Sequence, residues 1–401
     1  MEPPPRKHLL ARGKWAERAN SFLETAWDRG WLPPPSLDPE DFWNSAQKRF
    51  EPEAEAGGRS AEDIADFRER FALLCQSVAS EAQLNALGQT MAFGQLMRAV
   101  KNRLALGDLW RKQPELLNQK IAPPIIVIGH MRSGTTRIHK LLAADPAHSF
   151  TRYCDAYHPF PAPFGLNRLK SAMELAMLGA FNPWLQMIHP MAPTEVEEEL
   201  AWISAALHHS IYESQWHIPS YSAFSEARKP VPIYREFARI LATDAARRGL
   251  ASQPRVLKVP AFAEDLDTLL ALFPDARLVI AERDLDAVFK SAVSLSANQM
   301  AVQSDACDLE QIEALWRHKL ALREERLCKV LAQWSGPMVR LSFEALNADW
   351  EREIARTYHA LDTHLSPPAL SAMRVMMARS ESGHHHAHSA QLRDIETRKT
   401  G

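Results

Sequence analysis

The strongest chemical signal in the chain is the run Gly129-His130-Met131-Arg132-Ser133-Gly134-Thr135-Thr136. Its glycines permit tight backbone turns, and a helix starting just after them aims its first N–H groups at an anion, with the positive end of the helix dipole behind them. A nucleoside-triphosphate loop carries a lysine after the second glycine, to neutralise the β- and γ-phosphates, whereas Thr135 stands there in this chain. The nearest cation is Arg132, inside the loop, whose planar fork can hold a 5′-phosphate and the oxygen that leaves with it. The pattern fits a nucleotide with one 5′-phosphate better than one with three.

A cradle of this kind needs a strand before it and a helix after it. Ile125-Ile126-Val127-Ile128 is a short β-branched run ending on Gly129, as expected of a buried parallel strand, and Ile138, Leu141 and Leu142 mark one face of a following helix. Val256-Leu257-Lys258-Val259, Leu278-Val279-Ile280-Ala281 and Met338-Val339-Arg340-Leu341 have the same strand texture and are separated by helical patterns. The expected fold class is α/β, a three-layer parallel sheet flanked by helices. Helical spacing from about Ala61 to Leu117 predicts a helical N-terminal region, 1–120, packed on a core domain, 121–401. The first fifty residues, with Pro-Pro-Pro at Pro3–Pro5 and again at Pro33–Pro35, read as short helices and extended segments on the surface. A stretch at about 151–255, rich in Pro, Trp and His, reads as a helical insertion between strands.

Composition narrows the partners. With 401 residues, 46% apolar, 24% charged and a formal charge of −2, the chain is ordinary for a globular protein and lacks the basic field that nucleic-acid binding requires. Cys75, Cys154, Cys307 and Cys328 show no CxxC pair or disulfide framework, so reduced thiols are expected. The N-terminus is not built like a secretory signal, and the apolar stretch Leu175–Met191 is broken by Asn182 and Pro183, short of a transmembrane segment. These features read together as a cytoplasmic enzyme.

Met131-Arg132-Ser133-Gly134-Thr135-Thr136, followed by a helix and Asp145-Pro146, resembles the 5′-phosphosulfate loop of sulfotransferases, with Met131 where the family usually has proline. The resemblance implies a P-loop-type fold and PAPS (3′-phosphoadenosine 5′-phosphosulfate) as cosubstrate, with no metal required. It implies Ser133, Gly134, Thr135 and Thr136, with Arg132, around the 5′-phosphosulfate. A second signature, an arginine at a strand end and a serine eight positions on, is matched by Arg283 and Ser291 and implies a site for the 3′-phosphate. Glu81–Gly88, Glu195-x2-Glu198, Val256–Pro260 and Phe273–Arg277 extend the likeness, which is to the broad bacterial-type group rather than to the phenol-type enzymes.

Sulfuryl transfer to a hydroxyl needs a base for the acceptor proton and cations for charge building on the leaving oxygen. Arg132 and Lys258 are the candidate cations. A histidine two residues after the lysine, the phenol-type base, is excluded because Pro260 stands there. In other branches of the family a carboxylate about twenty residues past the loop serves, and an ungapped count from Thr135 reaches Asp155, where the related pattern has Glu. Glu195 and Glu198 are the alternatives, three apart and expected on one face of a helix; the run Glu197-Glu198-Glu199 otherwise reads as a solvated acidic face.

The acceptor is expected to be a small or lipid-like alcohol, with Trp184, Met187, Trp202, Trp216 and Tyr221 either lining an apolar pocket or packing helices. His384-His385-His386-x-His388 reads as an active-site or dimer-edge loop rather than a metal centre, which leaves a homodimer open, and Arg398-Lys399 as a further reach toward the 3′-phosphate. Two rival readings stand beside the transferase. One is a kinase or NTPase with Glu282 holding Mg²⁺, and the other a nucleotide-binding protein without catalysis.

Overall fold

The computed structural model describes residues 5–131, 133–160 and 165–380. All four β-branched runs are strands: β1 (Ile125–Ile128), β2 (Val256–Lys258), β3 (Arg277–Glu282) and β4 (Met338–Ser342). They form one parallel sheet in the order β2-β1-β3-β4. β1 is buried along its whole length, which is why it is apolar at every position rather than at alternate ones. β4, at an edge, alternates instead, with Val339 and Leu341 buried and Arg340 exposed.

Helices cover both faces. Ile126, Ile128, Leu278 and Ile280 pack with Phe237, Ile240 and Phe262 on one side. On the other, Ile125, Val127 and Val279 meet Ile138, Leu141 and Leu142. The sheet and its two helical layers are the architecture expected of alternating strands and helices.

The helices that matter for the site are α1 (Lys14–Asp28), α2 (Ala61–Glu81), α3 (Ala86–Lys112), α4 (Thr135–Ala143), α5 (Leu166–Phe181), α6 (Val231–Arg248), α7 (Leu285–Gln303) and α8 (Leu309–Leu331). Ser60 and Asp63 close a capping box at the start of α2, and Asn85 caps α3 by accepting from the Gly88 N–H. Asp63 also pairs with Arg235 and Arg239 of α6, at 2.7 and 2.6 Å, tying the N-terminal helices to the segment between β1 and β2.

Trp216 and Tyr221 lie in that contact, packed with Phe42, Trp43, Phe67 and Phe71. Trp202 belongs to the core under the sheet. Of the two roles open to the aromatic residues of this segment, helix packing is the one these three perform.

Candidate functional site

The C-terminal ends of β1, β2 and β3 point to one edge of the sheet. The chain leaves β1 for β2 on one side and reaches β3 on the other, so the loop after β1 lies at the switch point where ligands of open α/β sheets bind. Gly129 must be glycine because a Cβ there would come within 2.7 Å of the Ala281 carbonyl oxygen on β3. Gly134, at φ +90°, combines a left-handed backbone with a 2.8 Å approach to the Phe343 ring.

Helix α4 then begins with no side chain capping its N-terminus, which leaves that end to an anion. The Ser133 hydroxyl donates to the His130 carbonyl at 2.7 Å and braces the loop from within. Arg132 lies outside the described residues.

The cation missing after the second glycine comes from the neighbouring strand. Lys258, the last residue of β2 and 3% exposed, donates to the Thr136 hydroxyl at 3.2 Å and also to Glu198 Oε1, with which it forms an ion pair. Its backbone N–H donates to Glu199 Oε2 at 2.9 Å. Adjacent glutamates therefore grip one lysine at its two ends.

Glu195–Glu199 is not the helix face expected from the sequence. The segment is extended, Val196 bridges Arg152 antiparallel, and the helix begins only at Leu200. Glu195 is exposed, while Glu197 meets His189 and Glu198 and Glu199 meet the two ends of Lys258. Glu197 bonds His189 Nε2 at 3.2 Å. Burial alone would lower the His189 pKa, but Glu197 outweighs it and the imidazole is raised; Glu197, likewise disfavoured by burial as an anion, is lowered by His189. Burial pushes Glu199 up to about 7, against the hydrogen bonds from the Lys258 N–H and Thr151. His189, Glu197 and Glu199 carry no sequence signature, since only the extended backbone places them here.

Asp155 is not brought to this cluster. It accepts from Arg152 Nη2 at 3.0 Å and lies 3.5 Å from Arg248 Nη1, away from the lining of the adjoining cavity. The reason lies in the backbone: Asp155 sits in a short helix, Tyr153–Tyr157, whose Tyr153, Ala156 and Tyr157 face the cavity instead.

The second signature falls beside the loop. Arg283 follows β3, and its guanidinium carbon stands 4.2 Å from the centroid of the Phe343 ring, the same ring that abuts Gly134. Ser291 is buried on α7, about two helical turns beyond Asp284, which caps the helix by accepting from the Ala287 N–H at 2.9 Å. Glu282, the carboxylate a kinase would need for Mg²⁺, instead pairs with Arg340 at 2.6 Å.

Beyond Lys258 and Glu198 opens a cavity of about 740 Å³. Thr136, His189, Glu197, Glu198 and Lys258 line it together with apolar Leu23, Leu87, Met91, Leu178, Phe181 and Ile188, and Gln95, Arg98, Glu174, Gln215 and Arg323 add further polar lining. Trp184, Met187, Trp202, Trp216 and Tyr221 are not among the lining residues. The walls are drawn instead from α1, α3 and α5, so helices near the N-terminus enclose a space at the far edge of the sheet.

A profile described as the sulfotransferase family matches residues 123–367, from just before β1 to the start of the last described helix. The chain belongs to the sulfotransferase family. Sulfotransferase STF1 from Mycobacterium tuberculosis is 28% identical, with a TM-score of 0.70 over 84% of this chain and 92% of that one. Sulfotransferase STF9 from Mycobacterium avium, 21% identical, shares the fold with a TM-score of 0.74 over 85% of this chain and 87% of its own. A search of curated protein sequences gives no significant match.

The transferase assignment thus agrees with an α/β fold whose loop, lysine and cavity meet at one sheet edge. The four cysteines of this sulfotransferase are unpaired, and Cys75 and Cys154 are buried. Among the described residues no helix is long and apolar enough to cross a membrane. His384–His388, Arg398 and Lys399 lie outside the described residues.

Proposed function

We propose that this sulfotransferase moves a sulfuryl group from PAPS to the hydroxyl of a bulky, lipid-like alcohol, leaving adenosine 3′,5′-bisphosphate. The observation that carries the reading is Lys258, which touches Thr136 of the loop on one side and Glu198 of the cavity wall on the other. Bound in the loop, PAPS would supply an activated sulfuryl group on a 5′-phosphate leaving group. The loop suits it: the glycines leave no room for a Cβ, and α4 presents an uncapped N-terminus.

Gly134, Thr135 and Thr136, with Ser133 bracing the turn and Arg132 beside them, hold the 5′ end. Arg283 and Ser291 take the 3′-phosphate. Lys258 stabilises negative charge as it builds on the leaving oxygen. Glu198, rather than Asp155, accepts the proton of the acceptor hydroxyl, whose oxygen forms the new S–O bond as the bond to the phosphate oxygen breaks. The apolar walls hold the rest of the acceptor. A reducing, cytoplasmic setting belongs to the same reading and accords with the unpaired cysteines.

Thermal stabilisation tests the nucleotide assignment: adenosine 3′,5′-bisphosphate should raise Tm, and ATP with Mg²⁺ should not. Transfer of labelled sulfate from PAPS to a panel of long-chain and aromatic alcohols tests the reaction. Stabilisation by ATP and Mg²⁺ alone would overturn the proposal in favour of a kinase. Binding of the bisphosphate with no transfer to any alcohol would leave a nucleotide-binding protein without catalysis.

A further inference from the structure

Large apolar side chains left in water are unevenly distributed on this molecule. Among the described residues, Trp15 and Phe22 of α1, Trp31 and Leu32 just after it, and Leu166, Leu169, Met173 and Met177 of α5 are exposed, against only Leu272, Leu285 and Val375 elsewhere. Scattered single residues of this sort are ordinary, but a contiguous group is not.

The two helices lie side by side, with Ala16, Leu23 and Phe181 in one shared cluster. On α5 the exposed residues recur at intervals of three and four, which places all four on a single stripe, with Met173 at 66% and Met177 at 58% exposure. On α1, Trp15 (60%) and Phe22 (58%) are seven apart, again on one stripe. Phe22 and Met177 also line the cavity. The outer apolar surface therefore meets the cavity wall at Phe22 and Met177, beside the Arg98–Glu174 pair.

Charge is sorted on α5, whereas α1 exposes both signs, with Lys14 and Arg18 beside Glu17, Glu24 and Asp28. Arg168 and Lys170 flank the α5 stripe and are exposed, whereas Glu174, the acidic residue of that helix, is turned inward onto Arg98 at 2.8 Å. Arg18 and Arg29 stack over Trp15 and Trp31, with 5.2 and 5.0 Å from guanidinium carbon to ring centroid. Indole rings capped by guanidinium groups, beside an apolar stripe edged with cations, match the layering of a bilayer interface: acyl chains inside, anionic headgroups at the rim.

We propose that the α1/α5 face docks on an anionic phospholipid bilayer and sets the cavity mouth against it, so that the acceptor alcohol enters from the membrane without crossing water. The docking rests on the lipid-like acceptor reading of the same cavity. It explains why Phe22 and Met177 are half outside and half inside, which a water-soluble acceptor would not require.

Flotation of the full chain with vesicles of equal parts phosphatidylglycerol and phosphatidylcholine tests it, with phosphatidylcholine alone as comparison. The anionic vesicles should carry the protein. The double variant Leu169→Glu, Met173→Glu, which touches neither the cavity lining nor the loop, should lose about tenfold or more in partitioning. Arg168→Glu with Lys170→Glu should weaken binding to the anionic vesicles by at least about fivefold. Both variants should keep the bisphosphate-dependent rise in Tm and sulfate transfer to a water-soluble alcohol, which read the active-site assignment independently of docking.

Absence of flotation with anionic vesicles would sink the proposal, as would flotation that the Leu169/Met173 variant leaves unchanged. So would light scattering that shows a dimer split by that variant, since the face would then belong to a second copy of the chain.

Discussion

Two buried clusters in this molecule are built from the same residue types and behave in opposite ways. In the first, Lys319 of α8, fully buried, lies 2.9 Å from Glu264, 2.8 Å from Glu226 and 3.2 Å from Glu213, while Arg323 takes Glu264 from the other side at 2.7 Å and His209 lies at 3.1 Å. Burial would raise Glu264, but Lys319 and Arg323 hold it well below the ordinary carboxylate range. In the second, three consecutive glutamates share one permanent cation, Lys258, and a histidine. In the first cluster the permanent cations hold Glu264 and Glu226 low against burial. In the second, burial outweighs the hydrogen bonds to Glu199 and pushes it up to about 7. Cations overcome burial in one cluster, and burial prevails in the other.

Exchanging the two lysines gives the sharpest test. Lys258→Met should lower kcat by about a hundredfold to a thousandfold with a modest change in stability, as the proposed stabilisation of the leaving oxygen requires. Lys319→Met should cost about 3–5 kcal/mol in urea denaturation, because it strands buried carboxylates. If both variants lost only stability, the contrast between the clusters would vanish.

The carboxylates come next. Glu198→Gln should reduce kcat by about a hundredfold or more while the bisphosphate still binds. Asp155→Asn, which loosens a largely buried pair with Arg152 and Arg248, should cost about 1–3 kcal/mol and leave turnover near wild type. The opposite outcome in steady-state kinetics would return the base to Asp155. Arg283→Ala should weaken the bisphosphate by about tenfold to a hundredfold in isothermal titration, the loss of a charge-assisted phosphate contact.

In pH dependence it is the sign that separates the clusters. Between its ordinary value of 4.5 and about 7, Glu199 holds a proton in the folded state that the unfolded chain has released. Its contribution to stability therefore falls as pH rises through that window, by on the order of a few kcal/mol, and is level above it. Glu264, depressed below 4.5, contributes stability that is full above that value and is lost as pH falls through its folded value. Urea denaturation from about pH 5 to about 8 should show a falling slope that Glu199→Gln removes. A slope unchanged in that variant would place the proton elsewhere.

What the sequence reveals follows from how local the cause is. β1 to β4 are legible because short β-branched runs leave a local pattern, and the loop is legible because close contacts, and at Gly134 a left-handed backbone, demand glycine at both positions. Glu197-Glu198-Glu199 is misread as a solvated helix face because its partners, His189, Lys258 and Thr151, are fixed by a β-bridge to Arg152 that no periodicity announces. The cavity walls stay open in the sequence for a similar reason. Trp216 and Tyr221 look like pocket aromatics until Phe67 and Phe71 pack on them, while Leu23 and Leu87 show no sign of a pocket until α1 and α3 fold back across the sheet edge.

Lys258 held at both ends has a last consequence. Its main chain is fastened to Glu199 and its ammonium to Glu198 and Thr136, so one strand end serves as a common datum for the glycine loop and the cavity wall. The two cannot drift apart independently. Reshaping the wall for a different alcohol must therefore come from residues farther out, such as Met91, Leu178 and Phe181, leaving the reacting end at a fixed distance from the loop. Diversity of acceptor and constancy of chemistry are in this way assigned to different parts of a single cavity.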